Sequence, residues 1–296
     1  MVASIDAFRG FTDDPYLVGR VGAVNALSDL WAKGVRPRWA LALVALPETA
    51  PGEADEEELY QVLAGARSLF DAAGVTLAGG HTTTAAELMV GFNVEGLAGE
   101  SQPLRLIDGL RPGQSLVLSK PLGTGVLFHA DMQGGLRGPW FVAALDAMQQ
   151  TNAAAAEVAT AYGAGGATDV TGFGLAGHLG AMTRASGVRA SVVLESLPVL
   201  PGALELLDRG VRSTFHGENS RLRRGLLIDP DAGADPRLEL LFDPQTAGGL
   251  LFGVDPERAE EAVERLRQAG CEGAAVIGET TAEGGPPGGL NIRSRW

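Results

Sequence analysis

Two lysines, Lys33 and Lys120, and one cysteine, Cys271, are all that this chain of 296 residues holds of either type. A lone cysteine excludes an internal disulfide and any cysteine-rich metal site, and it fits a reducing cytoplasm. The shortage of lysine is a compositional bias, since arginine carries nearly all the positive charge, and it leaves few ammonium groups for binding phosphate. Basic charge is scarce altogether: 23 Lys and Arg stand against 36 Asp and Glu, a net −13. Such a balance argues against nonspecific affinity for nucleic acid or anionic lipid, both of which reward a basic surface. No uninterrupted apolar run approaches the roughly 18 residues of a membrane span. The N-terminus also lacks the basic region followed by an apolar stretch that marks a signal peptide. A soluble protein is the expectation, with no membrane or nucleic-acid partner.

What is present points to ordinary folded domains. The length allows two, and 45% hydrophobic content is ample for their cores. Glycine reaches 42 residues, about twice the usual share of roughly 7%. Residues 1–8 alternate as a strand, with Ser4 and Asp6 on one face. Pro15 opens a helix running to Lys33, with Leu17, Val21, Val24, Leu27 and Trp31 at helical spacing and Gly34 as its stop. A strand over 40–46, a helix over 53–73 and two strands, 75–78 and 88–97, follow. These last two bracket Gly79-Gly-His-Thr82 as a loop. The proline-marked stretch Ser101-Gln-Pro103 places a domain boundary between residues 100 and 112, giving domains 1–104 and 105–296. Beyond it the pattern predicts strands over 115–119, 189–194, 249–254 and 274–278, helices over 140–162, 175–186 and 257–269, and a loose loop over 283–289.

Several groupings could carry chemistry. Thr168-Asp-Val-Thr-Gly-Phe-Gly-Leu-Ala-Gly-His178 sets a carboxylate, Asp169, where a strand yields to a glycine turn and a helix. Asp169 offers the hard oxygens Mg²⁺ prefers, and Gly172 and Gly174 could aim backbone N–H groups at an anion; a buried carboxylate capping the helix is the alternative. Asn25 and Asp29 lie four apart, on one helix face among mostly apolar or small neighbours. They suit a metal ligand with an amide that orients it or contacts phosphate, or else a capping or solvent-facing pair. Gly80, His81 and Thr82 stand in a segment rich in N–H and hydroxyl donors. It could hold phosphate oxygens, or His81 could be a structural hydrogen-bonder. Lys120 opens Lys-Pro-Leu-Gly-Thr-Gly125, which could touch phosphate or cap a strand. Arg221, Arg223 and Arg224 could bind phosphate or form a solvated run, and Cys271 reads as a small core residue.

Four segments in order, Asp13-Asp-Pro-Tyr16 with Asn25-Ala-Leu-Ser-Asp29, Gly79-Gly-His-Thr82, Thr168 to His178, and Asp243-Pro-Gln-Thr-Ala-Gly-Gly-Leu250, resemble those of the selenophosphate synthetase (selenide, water dikinase) family. The resemblance implies an aminoimidazole ribonucleotide synthetase-like fold: an α/β domain that dimerises through its sheet, then an α+β domain. It implies the reaction ATP + selenide + water → selenophosphate + AMP + phosphate, with ATP as substrate and Mg²⁺ as cofactor. By the same resemblance Asp29 and Asp169 bind Mg²⁺. Asp6 contacts the nucleotide, although Ala7 replaces the aromatic that commonly follows, and the segment around His81 meets ATP across a homodimer interface. The turn from Asp243 is architectural in that family. The family also carries, ahead of these segments, a glycine-rich Cys or Sec and Lys stretch and an Asp-Asp-Ala metal motif, and none of these occurs here. The expectation is therefore a truncated form with an incomplete first domain, no catalytic nucleophile of its own and no selenophosphate formation alone. The rivals are another kinase of the superfamily, such as a thiamine monophosphate kinase, a hydrogenase-maturation protein, or a noncatalytic nucleotide-binding or dimerisation subunit.

Overall fold

The computed structural model describes residues 1–48, 53–99, 104–282 and 288–296. It divides into two compact units, residues 1–104 with 149–151, and residues 105–148 with 152–296. The linker expected at Ser101-Gln-Pro103 lies outside the described residues.

The first unit runs β1 (Val2–Arg9), α1 (Pro15–Ala32), β2 (Arg36–Pro47), α2 (Glu53–Ala73), β3 (Thr76–Ala85) and β4 (Met89–Leu97). Its four strands are ordered β1-β4-β2-β3, antiparallel except for the β2–β3 pair that α2 connects. Asp14 starts α1 by accepting from the Leu17 N–H at 3.1 Å, which satisfies one of the donors a helix start leaves open. From Val18 to Ala32 nearly every residue of α1 is buried, because the helix touches β1, β4 and α2 at once. The α1–α2 crossing depends on two glycines. A Cβ on Gly19 would lie 1.9 Å from the Val62 carbonyl oxygen, and one on Gly65 would lie 1.9 Å from that of Tyr16.

One expectation fails here. Gly79 to Thr82 is not a loop: it lies within β3, which continues to Ala85 along the twelve residues of β2. The pair of glycines instead marks a bulge, where the β2–β3 register slips between Ala40/Leu77 and Leu41/Gly79 and Gly79 takes φ +151°. A long partner strand supplies the hydrogen bonds that keep glycine and threonine extended.

The second unit runs β5 (Ser115–Leu118), α3 (Thr124–Met132), α4 (Gly138–Gln149), α5 (Ala153–Ala161), β6 (Ala167–Asp169), α6 (Gly174–Ser186), β7 (Arg189–Val193), α7 (Ala203–Asp208), α8 (His216–Asn219), β8 (Leu226–Ile228), α9 (Arg237–Leu240), β9 (Leu250–Val254), α10 (Ala259–Gln268), β10 (Ala275–Thr281) and β11 (Leu290–Arg293). Its sheet has seven strands in the order β6-β9-β5-β10-β7-β11-β8. The single helix expected over 140–162 is two, α4 and α5. Its alanine-rich periodicity carries through the break, but the Asn152 side chain is committed to the Gly248 carbonyl at 2.8 Å. Of the loop expected over 283–289, residues 283–287 lie outside the described residues.

Candidate functional site

In the first unit β1 turns Ser4, Asp6 and Phe8 toward the helices and leaves Ala3, Ile5 and Ala7 exposed, as a period of two dictates. Asp29 of α1 meets that inner row, its Oδ2 accepting from the Ser4 hydroxyl at 2.5 Å. Asp6 lies close enough to feel it: burial first, and then the Asp29 carboxylate, push the Asp6 carboxyl up to about 6. Asn25, one turn before Asp29, is buried. Two neighbouring carboxylates with a hydroxyl beside them form an anionic, all-oxygen donor set. Such a set fits a hard divalent cation. Among the described residues no group of three or more His, Cys, Asp or Glu side chains could hold a metal ion.

The segment around His81 is arranged differently from a donor loop. Being on a strand, Gly80 and Thr82 point to one side and His81 to the other, with His81 opposite Leu43 and Gly80 opposite Ala42. All three are exposed, on the strand that ends the sheet. A Cβ on Gly80 would sit 2.1 Å from the Ala42 carbonyl oxygen, so only glycine fits. The side that His81 shares is apolar and open: Ile5, Trp39, Leu41 and Leu97 are 64%, 40%, 45% and 49% exposed.

In the second unit Asp169 ends β6 and is buried. The turn after it is closed by the protein's own groups. His178 reaches back so that its Nε2 accepts from the Thr171 N–H at 3.1 Å, Gly174 donates to the Thr171 carbonyl at 3.0 Å, and Ala176 donates to the Leu241 carbonyl at 2.8 Å. The Gly174 N–H is thus not aimed at an anion, as the sequence suggested. Its glycine is required because φ is +67° and a Cβ would lie 2.8 Å from the Leu241 carbonyl oxygen. At the start of α6 the cap position is held by Phe173, whose side chain makes no capping bond.

Residues 120–125 belong to a cap. Gln245 Oε1 accepts from the Gly123 and Thr124 N–H groups at 3.0 and 3.2 Å, and Asp243 Oδ2 accepts from Val126 N–H at 3.2 Å, so the α3 start is satisfied from within. Burial pushes the Asp243 carboxyl up to about 7, against the bonds from Val126 N–H and Gln245 Nε2 that favour its ionised form. Lys120 does not end at phosphate: its Nζ donates to the Ala247 carbonyl at 2.7 Å. Gln245 was missed as a cap because it lies 121 residues from Thr124, and no local pattern carries such a pairing. Of the arginine cluster, Arg223 is paired with Glu239, which also receives His216 at 2.9 Å. Cys271 is buried and its thiol is pushed up by burial, as a core residue's should be. No helix among the described residues is long and apolar enough to cross a membrane.

Comparison with known proteins agrees over the whole length. Residues 1–98 match the N-terminal domain, and residues 111–288 the C-terminal domain, of AIR synthase related proteins. The chain is 39% identical to a selenide, water dikinase of Pelobacter propionicus over 287 residues, 96% of this chain and 80% of that protein. To one of Porphyromonas gingivalis W83 it is 39% identical over 285 residues, 95% of this chain and 79% of that protein. Among solved structures, a thiamine-monophosphate kinase of Stenotrophomonas maltophilia K279a superposes with a TM-score of 0.72 at 21% identity, covering 99% of this chain and 85% of that one. The hydrogenase maturation protein HypE in complex with ATP gives 0.72 at 20% identity, covering 99% and 82%. At that identity these two likenesses concern the fold alone.

Proposed function

This chain belongs to the selenide, water dikinase family, within the AIR synthase related proteins, and from that premise we propose which of its residues do what. The protein is an ATP-dependent phosphotransferase of selenophosphate synthesis: ATP + selenide + water → selenophosphate + AMP + phosphate. The observation that carries the assignment of residues is the part-buried pair of carboxylates, Asp6 and Asp29, where β1 meets α1.

Asp29 is a Mg²⁺-holding carboxylate, oriented by the Ser4 hydroxyl, and Asn25 one turn away serves the nucleotide. Asp6 supplies a second carboxyl beside it that contacts nucleotide. Asp169, in its own unit, is the other metal-holding carboxylate. When bound, Mg²⁺ supplies charge neutralisation at phosphate oxygens, the main requirement of phosphoryl transfer. Gly80, His81 and Thr82 serve as nucleotide contacts. The exposed apolar side of the first sheet, which His81 shares, supports a homodimer that buries it against a second copy. No residue of this chain is assigned as a catalytic nucleophile. The single buried cysteine fits a reducing cytoplasm. The likeness to thiamine-monophosphate kinase, at 21% identity, is one of fold.

The test follows phosphorus resonances during anaerobic incubation of the protein with ATP, Mg²⁺ and selenide. Any ATP that turns over is expected to give AMP, orthophosphate and selenophosphate in equal amounts rather than ADP, and Asp29→Asn is expected to weaken Mg·ATP binding in calorimetry. ADP formed alongside a phosphorylated organic acceptor would overturn the substrate assignment. Unchanged binding by Asp29→Asn would overturn the role of that carboxylate.

A further inference from the structure

Lys120 is a buried cation to which the reaction described above gives no task. It is 2% exposed, and burial brings its ammonium down to about 7, although Cys271 and the Asp169 carboxylate act in the opposite sense. Retaining such a charge in a core is costly unless it holds something. What Lys120 holds is the carbonyl of Ala247, the one non-glycine among the described residues with a positive φ, at 50°. A strained backbone of this kind persists only when its surroundings enforce it.

Ala247 stands in the turn from Asp243 to Gly249, and that turn grips the chain just beyond Asp169 at two points. The Gln245 N–H donates to the Thr171 carbonyl at 3.0 Å, and the Val170 N–H donates to the Gly249 carbonyl at 2.9 Å. Asn152 Nδ2 fastens the Gly248 carbonyl at 2.8 Å. There is no slack in the packing: a Cβ on Gly248 would lie 1.9 Å from the Val170 carbonyl oxygen, and one on Gly249 would lie 2.5 Å from the Lys120 backbone nitrogen. A shift of the turn must therefore move Val170 and Thr171, and with them the residue they follow.

We propose that Lys120 is a positioning residue, which locks the turn from Asp243 to Gly249 against Val170 and Thr171 and so holds the Asp169 carboxylate in place. The proposal rests on the reading of Asp169 as a metal-holding carboxylate. Its test must separate positioning from mere stability. Lys120→Met keeps the unbranched stem and removes the ammonium. Expected is a loss of hydrogen-exchange protection at the Val170 and Gln245 amides, with the amides of Val117 and Phe252 in the central strands unaffected. Expected as well is Mn²⁺·ADP affinity, measured by calorimetry on the full chain, lower by about 10- to 100-fold, as for a group that orients a metal ligand. In an Asp169→Asn background the same substitution should lower affinity no further.

Retained protection at Val170 and Gln245, or an equal loss of affinity in the Asp169→Asn background, would overturn the proposal. Should Asp169→Asn by itself leave affinity unchanged, the metal reading fails, and the two amides still decide whether Lys120 holds the turn. If Lys120→Met does not fold, Asn152→Ala cuts the second strap on the same turn. Loss of protection at those amides supports the turn as the holder of Asp169, and full protection refutes it.

Discussion

Asp243 gives the sharpest quantitative expectation, because its carboxyl is buried and its displacement is large. The group rises from 3.8 to about 7, burial outweighing the bonds from Val126 N–H and Gln245 Nε2 that act the other way. At about 1.36 kcal/mol per pKa unit, a rise of roughly three units corresponds to about 4 kcal/mol as an order of magnitude. The folded chain then binds more protons at this site than the unfolded chain across the window between 3.8 and about 7. Stability from Asp243 is therefore fully present below about pH 4 and is lost as pH rises through about 7. Asp243→Asn removes the titration while keeping the shape, and its amide oxygen can still accept from Val126 N–H and from Gln245 Nε2, the bonds now made by Oδ2. Measured by denaturant unfolding, the stability of the variant relative to the parent should rise by about 4 kcal/mol between about pH 4 and about pH 8. Lys120, lowered by burial to about 7, contributes a pH dependence of opposite sign above neutrality, but both proteins retain it and it cancels in the difference. Parallel pH profiles for the two proteins, or a variant that loses ground as pH rises, would refute the reasoning.

Gly65→Ala places a methyl 1.9 Å from the Tyr16 carbonyl oxygen, and backbone cannot step aside as a side chain could. The gain in helix propensity, up to about 1 kcal/mol, is outweighed by overpacking of about 1–3 kcal/mol or more, so a lower thermal midpoint is expected and a raised one would show that the helices can separate freely. Leu41→Asp puts a charge on the exposed apolar side of the first sheet, where Leu41 is 45% exposed. It should give a monomer in sedimentation experiments with little change in the unfolding midpoint; a dimer that persists would place the interface elsewhere.

Much of the first unit was legible in the chain because its signals are local. Asp14-Pro15 announces the start of α1, and the spacing of Asn25 and Asp29 sets both on one face of it, since a helix repeats within four residues. Period-two alternation placed Ser4 and Asp6 together on one side of β1. The charge, the lone cysteine and the ordered segments limited the chemistry before any coordinate was needed. Where the chain misled, the deciding partner was distant. Gly79 to Thr82 looks like a turn and is a strand, because β2 lies alongside it with backbone groups to share. The alanine-rich run over 140–162 looks like one helix and is two, with Asn152 beside the break bound to Gly248 across 96 residues. For the Lys120 to Gly125 segment the chain left phosphate contact and strand capping both open, and the structure makes it the capped start of α3, because Asp243 and Gln245 occupy its donors from more than a hundred residues away. Periodicity and turn chemistry act within a few residues and so are written in the sequence, whereas a buried N–H or ammonium accepts whichever oxygen the folded chain brings to it, and that choice is made only when the tertiary structure closes.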